Sequence, residues 1–141
     1  MTVRIATAGY EGESISQFIE KLLDAEIDIL IDVRKRPISR KPGFSKRTLG
    51  EHLRAHEIEY VHIPELGMPD ELRRQRHSLR TNEPILLEYE MLLPGRTEWV
   101  DEIVALTSSM KGCIMCFERD ESQCHRSRLG RFIERRHPRV C

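Results

Sequence analysis

Residues Gly112 to Arg131 read GCIMCFERDESQCHRSRLGR, and the succession of patterns inside this stretch decides the fold. Gly112–Phe117 is an apolar run, long enough for a buried strand and too short for a helix. A polar segment follows over Glu118–Gln123, and then Leu129, Phe132 and Ile133 recur at helical spacing. Strand, polar loop and amphipathic helix is the unit with which α/β proteins present a site at the carboxyl end of a sheet. Into that turn the chain places Cys116, Glu118, Cys124, His125 and Arg126.

Directions follow from the spacing. With Leu129 at the centre of the buried stripe, ~100° per residue sets Phe132 and Ile133 beside it and His125 and Arg126 on the same half of the cylinder. Those two side chains are expected to lean towards the strand end that carries Cys116, with Arg128, Arg131 and Arg135 pointing away. Cys124 falls at the amino end of this helix, where unpaired backbone N–H groups and the macrodipole favour negative charge. A thiol so placed, near His or Arg, is expected to drop from ~8.5 to ~4–7. The same N–H groups suit a phosphate or sulfate.

Working outward, the rest of the chain repeats the alternation. Val3–Ala8 reads as a first strand ending at Gly9-Tyr10. Ser14 opens a helix with Gln17 completing a capping box, and Ile15, Phe18, Ile19, Leu22 and Leu23 form its apolar stripe. Ile27–Val33 is an aliphatic second strand, as expected where helices cover both faces of a parallel sheet. Arg34–Phe44, with Pro37, Pro42 and Gly43, is a loop, and Ser45 caps the next helix, with Leu49 and Leu53 inward. Ile58–Ile63 is a third strand, stopped by Pro64. A short helix starts from Pro69, and helical patterns return over Glu83–Leu93 and Thr97–Met110, the last with Trp99, Ile103 and Leu106 on one face.

These patterns predict an α/β fold: a single compact domain over residues 1–141, built on a mainly parallel β-sheet flanked by helices on both faces. In such a sheet the carboxyl strand ends share one edge. That edge gathers Tyr10, Asp32 and Arg34, His62, and Cys116 with Glu118, and it is the place to expect a ligand.

Composition narrows the class. The chain has 141 residues, 23 basic and 23 acidic, so no global field calls for a polyanionic partner. Seven basic residues and no acidic one nevertheless lie between Arg34 and Arg47. No apolar run approaches ~18 residues and there is no secretory h-region, so a soluble, cytoplasmic protein without membrane contact is expected. Its four cysteines are then expected as thiols or ligands rather than a disulfide scaffold.

The run resembles the domain of unknown function 488 (DUF488) family over nearly the whole chain, through TAGYEG (Thr7–Gly12), IDVRKRPISRKPGFS (Ile31–Ser45), YVHIPELG (Tyr60–Gly67) and CFERDESQCHRS (Cys116–Ser127). The resemblance implies a compact α/β fold and a set of site positions, but no reaction. Met68 and Pro69 depart from the family pattern, in which another Gly usually follows the LG, and many members carry a further strand-like end beyond the position of Val140-Cys141. A weaker likeness is to the rhodanese domain, with its aspartate-valine-arginine strand end and its later cysteine; there the loop after the cysteine is short, whereas here seven residues separate Cys116 from Cys124. The tyrosine-phosphatase pattern needs Arg six positions after Cys, and those positions hold Ser122 and Gly130.

Cys113 and Cys116 form a C-x-x-C, but residues three apart in a strand face opposite sides, so Cys113 is assigned to the core. The leading expectation is a thiol-dependent enzyme acting on an anionic, phosphate- or sulfur-containing substrate. In it Cys124 is the nucleophile or redox thiolate, Cys116 its resolving partner, His125 the proton carrier and Glu118 the orienting carboxylate. Arg34 and Arg126 clamp the anion, and Tyr10, Arg40, Phe44, Ser45 and His62 complete the substrate side. Arg34 serves equally well as a structural ion pair with Asp32. A second expectation is a nucleic-acid or nucleotide-binding module without catalysis, in which the basic loop meets phosphates and Tyr10 and Phe44 stack on bases. A third is a Cys116/Cys124/His125 metal-binding protein. No resident metal is assigned, and neither cofactor nor oligomeric state is legible.

Overall fold

A computed structural model of the chain describes residues 5–75, 81–116 and 125–137. Strand β1 (Ile5–Gly9) leads into helix α1 (Ile15–Asp24), β2 (Ile29–Asp32), α2 (Lys46–Ala55) and β3 (Glu59–His62). After a 3-10 turn at Pro64–Leu66 come α3 (Asp70–Gln75), α4 (Glu83–Leu92), α5 (Thr97–Leu106), β4 (Gly112–Cys116) and α6 (His125–Arg136). The four described strands form one parallel sheet in the order β1-β4-β2-β3.

The order follows from handed connections. The chain moves from β1 past one strand position to β2 and then to β3, with α1 and α2 on one face of the sheet. It returns through α3, α4 and α5 on the other face and inserts β4 into the gap. Crossovers that advance over one face and return over the opposite one keep the same right-handed sense.

Alternation along the strands divides the interior into two cores. Leu30, Cys113 and Met115 point towards α1 and α2 and pack with Phe18, Leu22, Leu49 and Leu53. Ile29, Ile31, Ile114 and Cys116 point the other way, against Tyr89 of α4, Val100 and Ile103 of α5, and Leu129 and Ile133 of α6. Every residue of β4 is buried, as an interior strand covered on both faces requires.

The ends of α1 and α2 show how locally this is encoded. Ser14 accepts from the Gln17 amide while the Gln17 side chain accepts from the Ser14 amide, the expected capping box. Both helices then stop alike. Glu26 (φ 58°) and Glu57 (φ 59°) take the left-handed conformation. The amides of Ile27 and Ile58 reach back to the carbonyls of Leu22 and Leu53. This is a Schellman closure, and its apolar pairs Ile27–Leu22 and Ile58–Leu53 join the core before the next strand begins.

Several sequence expectations need correction. Leu23 is 44 % exposed, because the face of α1 on the sheet is only wide enough for Phe18, Ile19 and Leu22. The inward residues of α5 are Val100 and Ile103, with Trp99 and Leu106 at the margin, and the helix ends at Leu106, four residues before Met110. Ser45 holds the capping position of α2, but its hydroxyl is bonded to the Ser39 backbone instead of a helix amide. Arg128 does not face solvent. It is buried against α4, where Glu83 and Glu90 take its guanidinium at 2.6 and 3.2 Å, since α6 packs on α4 as well as on the sheet. Val3 and Phe117 lie outside the described residues.

Candidate functional site

The register brings the strand ends level: Gly9 pairs with Cys116, and Asp32 pairs with both Met115 and His62. Helices α1 and α2, which follow β1 and β2, pack on one face of the sheet, and α6, which follows β4, packs on the other. Such a divergence between neighbouring strands is where open α/β sheets bind ligands. Cys116 stands at that divergence.

Cys116 is 1 % exposed and disulfide-bonded, with its partner outside the described residues. At this position a disulfide therefore stands where a thiol or a ligand was expected. The Nη1 of Arg126, itself 2 % exposed, donates to the Cys116 sulfur at 2.9 Å, so the helical spacing located this side chain correctly. His125 is anchored beside it: Nε2 donates to the Val33 carbonyl at 3.0 Å, and the ring meets Tyr89 edge-on at 4.9 Å. A carbonyl only accepts, so the proton sits on Nε2. The first turn of α6 is thus tied to the end of β2. Cys113 is on the opposite core face, where burial pushes its thiol up to about 12 and keeps it neutral.

The other half of the rim is a buried polar network. Asp32, fully buried, accepts from the Arg34 amide, from Arg34 Nε at 2.9 Å, from Arg34 Nη2 at 2.7 Å and from the Tyr60 hydroxyl at 2.6 Å. Arg34 Nη1 donates to the Phe44 carbonyl at 2.6 Å and to the Tyr10 hydroxyl at 3.2 Å. Burial works against the Arg34 charge, yet its hydrogen bond and attraction to Asp32 hold the guanidinium above its ordinary value. Burial, followed by the Asp32 charge, likewise raises Tyr60 and keeps it a neutral donor. The ion pair with Asp32 considered for Arg34 is present, and the same guanidinium also bonds Tyr10 and Phe44.

The remaining sequence-predicted residues are distributed around this network. Tyr10 and Phe44 are buried and stacked on each other, with centroids 4.3 Å apart, so neither presents a free face to a base. Lys41 Nζ donates to the Tyr10 carbonyl and sits over both rings. His62 Nε2 donates to the Arg34 carbonyl at 2.7 Å and holds the start of the basic loop. Arg40 is exposed on that loop. Cys124 and Glu118 lie outside the described residues. Sequence reasoning missed Tyr60, Tyr89 and the Val33 carbonyl. A tyrosine in the strand paired with Asp32 was a usable signal, whereas the bond from the Tyr89 hydroxyl to Leu66 needs the fold.

Among the described residues no group of three or more His, Cys, Asp and Glu side chains is arranged to hold a metal ion. The Cys116/Cys124/His125 alternative has one of its ligands outside them. Among the same residues no helix is long and apolar enough to cross a membrane.

No curated protein and no solved structure matches the chain. The model of one family does match, described as "Domain of unknown function DUF488", over residues 14–133, a span running from the cap of α1 to the last buried residue of α6. The chain belongs to the DUF488 family.

Proposed function

We propose that the protein is a thiol-dependent enzyme that works by thiol–disulfide exchange at the carboxyl rim of its sheet, with a sulfur anion as its substrate. The observation that carries this reading is the disulfide-bonded Cys116 at the end of an interior strand, with the buried Arg126 guanidinium on its sulfur. In the cytoplasmic setting expected from the sequence, disulfides are as a rule transient, and catalytic or redox-sensing.

Cys124 is the partner on the sequence argument. An incoming thiolate attacks the Cys124 sulfur; the new S–S bond forms as the Cys116–Cys124 bond breaks, and its electron pair leaves on Cys116. Arg126 stabilises that thiolate through a charge-assisted hydrogen bond. A second substrate thiolate attacks the substrate sulfur of the mixed disulfide and expels Cys124 as a thiolate, so the substrate leaves as a disulfide and the protein is left as a dithiol. A different disulfide, entering by the reverse sequence, restores the Cys116–Cys124 bond and is itself reduced to two thiols, so one S–S bond forms for each one broken. His125 acts as a positioning residue, because its bond to Val33 holds the helix that aims Arg126.

Peptide mapping without reduction is expected to recover Cys116 joined to Cys124. Titration in a glutathione buffer is expected to give one two-electron transition. Arg126→Met should move that potential negative by roughly 30–60 mV, the equivalent of losing a charged hydrogen bond of about 1.5–3 kcal/mol. A Cys116 linked elsewhere, or a potential that Arg126→Met leaves in place, overturns the reading.

Nucleic-acid binding is the second reading, favoured by the exposure of Lys35 and Arg40 on the rim loop and of Lys46 and Arg47 in the first turn of α2. Against it, Arg36 and Arg47 are paired with Asp70 and Glu51, and the loop's aromatic ring is inside the protein. Salt decides: affinity for an oligonucleotide should fall with a log–log slope of several units if this reading holds.

A further inference from the structure

Away from the rim, α1 and α2 enclose a groove of about 210 Å³ lined by Ile15, Ile19, Glu20 and Leu23 on one side and by His52 and His56 on the other. His52 belongs to the last turn of α2 and His56 is its C-terminal capping residue, so the two imidazoles are four positions apart. Two histidines at this spacing stand on one helix face, the arrangement by which a helix offers two nitrogens to one metal ion. Both are exposed and both border the same groove.

A second observation concerns the tautomer. The His56 Nδ1 lies 2.9 Å from the His52 carbonyl oxygen. A carbonyl only accepts, so Nδ1 carries the proton and the Nε2 lone pair is left for a ligand. Metal-bound histidines characteristically donate their other ring N–H to a carbonyl or carboxylate, which fixes the ring and raises its basicity. Helix capping alone accounts for His56 but not for His52 on the same groove.

We propose that His52 and His56 form a binding site for a divalent transition-metal ion of the Zn2+ and Ni2+ class, with Glu20 lending negative charge from across the groove. Imidazole nitrogen suits these ions and not Mg2+ or Ca2+, which want oxygen. Among the described residues no third ligand completes a chelating set. The chain therefore supplies two nitrogens and water fills the other positions, giving a site weaker than a closed four-ligand one.

The test is an NMR titration of the intact, oxidised protein with ZnCl2, repeated with NiCl2 and MgCl2, following the histidine ring signals. Saturable shifts of the His52 and His56 rings are expected with Zn2+, broadening of the same rings with Ni2+, and no response to Mg2+. Losing an indirect partner of a metal ligand costs roughly 10–100-fold in affinity, so His52→Ala and His56→Ala should each cost at least as much. Both residues are exposed, so the fold is expected to survive either change. Unmoved His52 and His56 rings at ~1 mM Zn2+, or an affinity untouched by the double substitution, overturns the proposal. Metal bound at the cysteine rim instead would show in the second of these ways.

Discussion

Replacing Asp32 by Asn keeps the shape of the side chain and removes its charge, leaving the Arg34 guanidinium buried with no counter-ion. Asp32 is 0 % and Arg34 7 % exposed, so solvent screens this pair very little. Breaking a buried pair by removing one partner costs about 3–5 kcal/mol, most of it the uncompensated charge. Against a total stability of ~5–15 kcal/mol that is a large fraction. For a chain of this size it corresponds to a fall in Tm of roughly 10–20 °C. The assay is equilibrium urea unfolding followed by circular dichroism and by tryptophan fluorescence, with the midpoint compared at constant m. Arg34→Met alone should cost a similar amount, because it strands the carboxylate. The pair Asp32→Leu with Arg34→Met should recover much of the loss, since well-packed apolar replacements of a buried pair are often near neutral. A loss below ~1 kcal/mol for Asp32→Asn would refute the reasoning: it would mean that the pair behaves as a solvated one. Arg34 would then return as a candidate anion clamp.

Other outcomes follow from local geometry. Gly67→Ala sets a Cβ 2.5 Å from the Lys35 amide nitrogen and 2.7 Å from its Cα, both backbone atoms, so the turn after β3 and the basic loop have to separate, at a cost of ~1–3 kcal/mol in unfolding experiments. Glu26→Gly removes a left-handed residue with a Cβ and is expected to leave α1 unchanged or to stabilise the protein by up to about 1 kcal/mol; a clear loss would show that Glu26 contributes through its side chain. Cys113 binds its proton up to about 12 when folded and only to ~8.5 when unfolded, so the folded state holds more protons between those values and stability falls as pH rises through that window. Cys113→Val should flatten the alkaline slope by about one proton relative to the parent, and an unchanged slope would exclude Cys113 from it.

The type and order of the elements were legible in the chain because each rests on contacts close in sequence. The Ser14–Gln17 box, the stripe on α1, the aliphatic β2 and the apolar GCIMC strand all register in windows of a few residues, and Pro64 marks where β3 has to stop. The same local geometry put Arg126 on Cys116 and set Cys113 on the opposite face. Spacing failed where a second neighbour mattered. A helical wheel built around one buried stripe points Arg128 at solvent because it has no knowledge of α4, whose two glutamates pair with it across more than thirty residues of chain.

The sequence by itself determined, then, that a parallel sheet with helices on both faces would carry its polar groups on one edge, because hydrophobic period and strand direction are properties of short segments. Tertiary structure alone decided what those groups do there. It inserted β4 between β1 and β2, and so aligned Gly9, Met115, Asp32 and His62. It turned Arg34, Tyr10 and Phe44 inward, where they satisfy a buried carboxylate and fill a core. The physical reason is that a buried charge must find its partners wherever the fold brings them, and those partners are set by packing distance, which separation along the chain does not encode.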